Sequence, residues 1–153
     1  MQPGDYFVGD DDYRIRTLLG SCVSITLWHA TRRIGAMSHF LLPGRGENLS
    51  NEIDGRYGDE VLVLMLHELA QLGIAANELQ AKIFGGSDMF SKQFSANGTS
   101  IGRKNGDAAR AQLQNHGISI VSESLFGVGH RQVIFDIDSG HVWSRQIPPI
   151  EVS

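Results

Sequence analysis

The chain holds one cysteine, Cys22, in the stretch Leu19-Gly20-Ser21-Cys22-Val23-Ser24-Ile25, and a histidine follows at His39. The thiolate is the nucleophilic form of cysteine, and a neighbouring imidazole can generate it. A thiol placed where a glycine turn feeds an apolar strand is held rigidly and can still face a cleft. This pair of residue types could supply a reactive thiolate, provided the two side chains share a face. The plainer reading makes Cys22 a small buried hydrophobe and His39 a core or surface residue.

The flanking pattern bears on that choice. From Cys22 to His29 the residues alternate: Val23, Ile25 and Leu27 face one way, Cys22, Ser24, Thr26 and Trp28 the other, which predicts a strand. Ile34 to Leu42 predicts a second strand, joined by the polar turn Ala30 to Arg33 and stopped by Pro43-Gly44. If His29 pairs with Ile34, Cys22 lies opposite Leu41, and His39 falls diagonally from it on the same face. A three-residue loop would send the two to opposite faces.

Elsewhere, Arg14 to Leu19 reads as extended and Gly44 to Gly58 as a long polar loop. Asp59 is expected to cap a helix with Val61, Leu62, Met65, Leu66 and Leu69 as its stripe and Gly73 as its stop. Leu79 to Phe84 reads as a strand, running into a Gly85-Gly86 turn and a further loop. A second helix is expected from Gly106 to Asn115, then strands at Ile118 to Ser122, Arg131 to Asp136 and His141 to Gln146, with a hairpin turn at Asp138-Ser139-Gly140. These elements predict one α+β domain over residues 1–153, a layered sandwich of mostly antiparallel β-sheets with two main helices packed on them.

Composition excludes several classes. A net charge of -4 argues against nucleic acid as a partner. No apolar run is long enough to insert in a membrane. A lone cysteine favours a reducing compartment, and Met1 to Tyr6 lacks the features of a signal peptide, so a cytoplasmic location is expected. The six histidines show neither CxxC nor HxxxH company, which argues against a metal. Gly85-Gly86 and Gly102 to Gly106 match neither a P-loop nor a dinucleotide fingerprint and read as turn glycines. A thiol redox sensor would lack a resolving cysteine.

Five segments resemble one family in order along the chain. They are Thr17-Leu18-Leu19-Gly20-Ser21-Cys22-Val23, Gly35-Ala36-Met37-Ser38-His39-Phe40-Leu41-Leu42-Pro43, Arg56-Tyr57-Gly58-Asp59, Ala81-Lys82-Ile83-Phe84-Gly85-Gly86-Ser87-Asp88-Met89-Phe90 and Ile101-Gly102-Arg103-Lys104-Asn105. Together they resemble CheD, the chemoreceptor glutamine deamidases of bacterial chemotaxis. The resemblance implies a catalytic core similar to that of the cytotoxic necrotizing factor toxins, with no metal or organic cofactor. It implies Cys22 as nucleophile, His39 as general base and Thr17 as third member. The oxyanion would be received by the Cys22 N–H and a neighbour on the Gly20-Ser21 turn, Ser21 or Gly20, because a turn leaves amides unpaired by the ladder. The substrate would be a glutamine on a chemoreceptor cytoplasmic domain. A CheC-type phosphatase is a second implied partner, and a chain acting chiefly as its adaptor is the alternative reading. Phe84, Gly85, Gly86, Met89 and Phe90 would form a contact surface. The chain departs from the family pattern at Leu125-Phe126-Gly127-Val128-Gly129-His130-Arg131, where a Gly-Gly pair and a Gly-Arg are usual. Thr17 also stands one residue nearer the Gly-Ser-Cys turn than in many relatives.

Overall fold

The computed structural model describes residues 1–46, 52–89 and 100–148. Eight strands and two helices follow in the order β1 (Tyr6–Gly9), β2 (Arg14–Leu19), β3 (Val23–His29), β4 (Ile34–Ser38), α1 (Gly58–Gln71), β5 (Gln80–Gly85), α2 (Ile101–Asn115), β6 (Ser119–Leu125), β7 (His130–Asp136) and β8 (Val142–Ile147), with a single 3-10 turn at Ala76–Glu78 before β5. They form a five-stranded sheet of order β1-β4-β3-β5-β6 and a three-stranded sheet of order β2-β7-β8. All pairs are antiparallel except β5 with β6.

β3 is the central strand, covered on both faces. Val23, Ile25 and Leu27 join Val61, Leu62, Met65 and Leu69 of α1 and Ala109 and Leu113 of α2 in one core. Each such fully buried Val, Leu, Ile or Met contributes about 1.5–3 kcal/mol relative to an exposed one. The opposite face meets the small sheet through Leu19, Met37, Phe84, Val133, Phe135 and Ile137. Trp28 crosses that interface and donates its indole N–H to the Ile137 carbonyl at 2.7 Å. The layers therefore run helices, large sheet, small sheet, the expected α+β sandwich. None of the described helices is long and apolar enough to cross a membrane.

Three local expectations need correction, and one strand, β1, had no counterpart among them. The sequence gives no strong signal for β1, whose four residues pair with β4 and close the sheet edge. β4 ends at Ser38 rather than Leu42, although a bridge between Val23 and Phe40 carries the pairing on. Asp59 does not cap α1: the helix starts at Gly58 after an extended Tyr57 without a side-chain cap. Asp59 sits in the first turn, where its carboxylate accepts the Glu60 N–H. Finally, Gly102 to Gly106 is helix, not turn. Ser100 caps α2 by accepting the Arg103 N–H at 3.1 Å. Glycine costs a helix about 1 kcal/mol against alanine, but a Cβ at Gly102 would lie 2.3 Å from the Ser87 carbonyl oxygen. The glycine lets the helix backbone rest directly on the chain beneath Cys22.

Candidate active site

The β3–β4 hairpin has the register expected from its turn: His29 pairs with Ile34, Trp28 with Gly35, Leu27 with Ala36 and Thr26 with Met37. Val23 and Phe40 exchange both backbone hydrogen bonds, at 3.1 and 2.9 Å. Cys22 and His39 consequently share the face that looks toward the small sheet. Cβ atoms so placed, on a diagonal, are about 7 Å or less apart.

His39 is almost wholly buried. Its backbone is held by the segment before β1, through Gly4 N–H to the His39 carbonyl at 2.8 Å and His39 N–H to the Asp5 carbonyl at 3.1 Å. The ring reaches across to the other sheet, where Nδ1 lies 2.7 Å from the Thr17 hydroxyl oxygen. Thr17, also buried, donates its single hydroxyl proton to the Met1 carbonyl at 3.1 Å. Having spent that proton, the Thr17 oxygen can only accept, so Nδ1 carries the hydrogen and donates it. Nε2 is left with the lone pair a base requires. Burial is the largest cause that lowers the imidazole to about 4 from its usual 6.5; the Met1 ammonium adds to the lowering and Asp5 opposes it.

Cys22 is half-buried. Burial pushes its thiol up, and its own backbone N–H, lying beside the sulfur, pulls it partly back. At neutral pH the resting state is therefore a neutral thiol and a neutral imidazole, not an ion pair. Among the described residues the thiol has no hydrogen bond to His39, whose ring is engaged with Thr17. Such contacts are often long without substrate and tighten on binding.

The turn ahead of Cys22 is fixed through its carbonyls. Gly20 accepts from Ser87 N–H, Cys22 from Gly86 N–H, and Ser21 from the Asn105 side-chain amide, each at 3.0 Å. Among the described residues the Ser21 N–H has no acceptor. Gly85, at φ +107, brings its α-carbon so close to the Cys22 carbonyl that an added Cβ would lie 2.3 Å from that oxygen. Gly20 plays a matching part above, where the Met89 thioether packs on it.

The other expected contact residues are placed unevenly. Phe84 is buried between the sheets and offers no exposed ring; Gly85 and Gly86 are buried beneath Cys22. Met89 is half-buried, and Phe90 lies outside the described residues. The departing loop is held firmly: Phe126 adopts φ +71, a left-handed conformation unusual for its type, and its N–H donates to the Gly85 carbonyl at 2.8 Å. Its ring lies under the guanidinium of Arg103, 4.2 Å away.

Two residues with a hand in this arrangement were not singled out by their spacing. Arg131 is buried, has no carboxylate partner among the described residues, and donates to the carbonyls of Gly85, Ser124 and Phe126 at 2.8–2.9 Å. Asn105 is fully buried on the same helical face as Ala109 and Leu113. A polar residue on an apolar stripe was the available signal, hidden because the first turns of α2 did not read as helix.

The family model described as CheD chemotactic sensory transduction matches residues 41–146. The chain belongs to the CheD family. A CheD protein of Albidiferax ferrireducens, named probable chemoreceptor glutamine deamidase CheD 2, is 56% identical over 98% of this chain and 87% of its own length. A Chromobacterium violaceum relative, probable chemoreceptor glutamine deamidase CheD 1, is 42% identical over 99% of the chain and 79% of its own length. A CheD of Vibrio vulnificus with the same style of name is 32% identical over 99% and 72% respectively.

Proposed function

We propose that this protein is a protein-glutamine glutaminase that converts specific glutamine side chains of chemoreceptor cytoplasmic domains to glutamate with release of ammonia. The observation that carries the chemistry is the 2.7 Å contact between His39 Nδ1 and Thr17, which leaves Nε2 as the basic nitrogen on the face shared with Cys22. On substrate binding, His39 Nε2 takes the thiol proton, and the Cys22 sulfur attacks the carboxamide carbon. The tetrahedral oxyanion is received by the Ser21 and Cys22 amides. The imidazolium, stabilised through Nδ1–H by Thr17, gives its proton to the departing nitrogen, and the C–N bond breaks to leave a thioester. Water then gives a proton to Nε2 as its oxygen adds to the thioester carbon, the C–S bond breaks, and the imidazolium returns its proton to the Cys22 sulfur as the glutamate product leaves. Protons and charge balance over the cycle, so the scheme needs no cofactor. It suits one domain acting in the cytoplasm, with a core of the toxin-deamidase kind.

The test is incubation of the purified chain with a recombinant receptor cytoplasmic fragment, with receptor peptides followed by mass spectrometry and Cys22→Ala run in parallel. Site-specific glutamine-to-glutamate conversion that disappears in the variant is expected. Undiminished conversion by Cys22→Ala would remove Cys22 from the mechanism. No conversion of any receptor by the wild-type chain would remove the deamidase reading.

A further inference from the structure

The Ser21–Cys22 peptide is trans, as are the described peptide bonds throughout. In a trans peptide the carbonyl and the following N–H lie in one plane and point in opposite directions. Whatever grips the Ser21 carbonyl therefore aims the Cys22 N–H. The neighbouring peptide shows the rule at work: Gly86 holds the Cys22 carbonyl on one side, and the Val23 N–H emerges on the other to meet Phe40. The grip on Ser21 is the single side-chain contact of the three that fix the turn. It comes from Asn105, whose Nδ2 donates to the Ser21 carbonyl at 3.0 Å and to the Leu41 carbonyl at 2.8 Å.

Leu41 follows the Val23–Phe40 bridge on the segment beyond β4 that carries His39, so one amide nitrogen ties the nucleophile turn to the segment of the base. The other end of this side chain is costly. Asn105 Oδ1 is buried and has no hydrogen-bond partner among the described residues. A buried acceptor left unpaired is unfavourable. Helix packing alone would be served better by an apolar residue of the same size, so what the asparagine supplies is its two N–H groups, delivered from one atom to two carbonyls.

We propose that Asn105 is a positioning residue for the nucleophile turn, holding the Ser21–Cys22 peptide so that the Cys22 N–H stands beside the sulfur and facing the developing oxyanion. This deepens the deamidase reading and rests on it for the oxyanion. Its grip on the turn is measurable without any substrate. The Cys22 N–H that Asn105 aims is also the group that favours the thiolate.

The experiment compares the wild-type chain with Asn105→Leu, which keeps the branching and the number of side-chain heavy atoms at a larger volume, removes both donors and removes the orphaned acceptor. Asn105→Ala serves as a second variant should the leucine fail to fold. Two readouts are taken. In deamidation of the receptor fragment, kcat is expected to fall about 100- to 1000-fold, as for loss of one oxyanion donor, with KM little changed. In alkylation of Cys22 by iodoacetamide across pH, the inflection is expected to move to higher pH, so that the rate at neutral pH drops about threefold to tenfold. Wild-type kcat in a folded variant overturns the proposal, and so does a kcat loss that merely tracks the folded fraction. If the wild-type chain deamidates no receptor, the deamidase reading fails. The alkylation profile then still decides: a shift upholds the grip of Asn105 on the turn, and an unchanged profile refutes it.

Discussion

Acidification should unsettle this protein through one buried imidazole. His39 titrates near 4 when folded, against about 6.5 unfolded, chiefly because burial disfavours the charged ring. Between these values the unfolded chain binds the proton and the folded chain does not, so stability rises with pH across the window. The stabilisation of the folded state is complete above about pH 6.5 and is lost as pH falls toward about 4. With 1.36 kcal/mol per pKa unit, the full difference is about 3.4 kcal/mol, of which about 2 kcal/mol has gone by pH 5 and about 3 by pH 4. Carboxylates titrate in the same range, so the comparison needs a reference chain. His39→Gln keeps a side chain able to bond Thr17 but cannot take the proton. Urea unfolding of both proteins at about pH 7 and pH 5 should show the wild type losing about 2 kcal/mol more than the variant. If His39 is the base proposed above, kcat/KM should fall in acid with an apparent pKa near 4, not near 6.5. Parallel acid losses in the two proteins, or an acid limb near 6.5, would refute the assignment of His39 as a buried neutral base.

Two further expectations concern its neighbours. Thr17→Val keeps the shape but removes both the acceptor for Nδ1–H and the donor to Met1; kcat should fall about 10- to 100-fold, equal to about 1.4–2.8 kcal/mol, and Thr17→Ser should restore most of it. Wild-type kcat in the valine variant would show that the imidazole needs no such orientation. Gly85→Ala forces a side chain into a left-handed backbone and against the Cys22 carbonyl, so thermal unfolding should shift by an amount worth roughly 2–3 kcal/mol, and an unchanged midpoint would contradict the close approach.

The sharing of a face by Cys22 and His39 was legible only on a condition: with the turn at Ala30 to Arg33 and His29 paired with Ile34, parity puts them together, and the structure has that register. Thr17 was beyond such reasoning. It belongs to another sheet, and no short-range period relates β2 to β4; only its place in the motif pointed to it. The face of β3 bearing Ser24 and Thr26 has the polarity of a solvent-facing side, yet both residues are buried under the small sheet. Alternation reports chemistry, not what covers it. The start of α2 was hidden for the opposite reason: local propensity there favours a turn, and the contact that requires glycine at position 102 is with the backbone of Gly86 and Ser87, outside the helix. Phe84 read as a surface aromatic beside a glycine turn, but β5 is an inner strand and the ring is enclosed.

The Thr17–His39 contact joins the two sheets. Cys22 and His39 ride on the large sheet and Thr17 on the small one, so the orienting hydrogen bond exists only while β2-β7-β8 stays docked. Lifting that three-stranded flap would leave the helix-backed half of the protein intact and strip the imidazole of its tether. Heat or denaturant should therefore silence this chain at a milder dose than is needed to melt it, making turnover a finer gauge of the seam between the sheets than any spectroscopic measure of global unfolding.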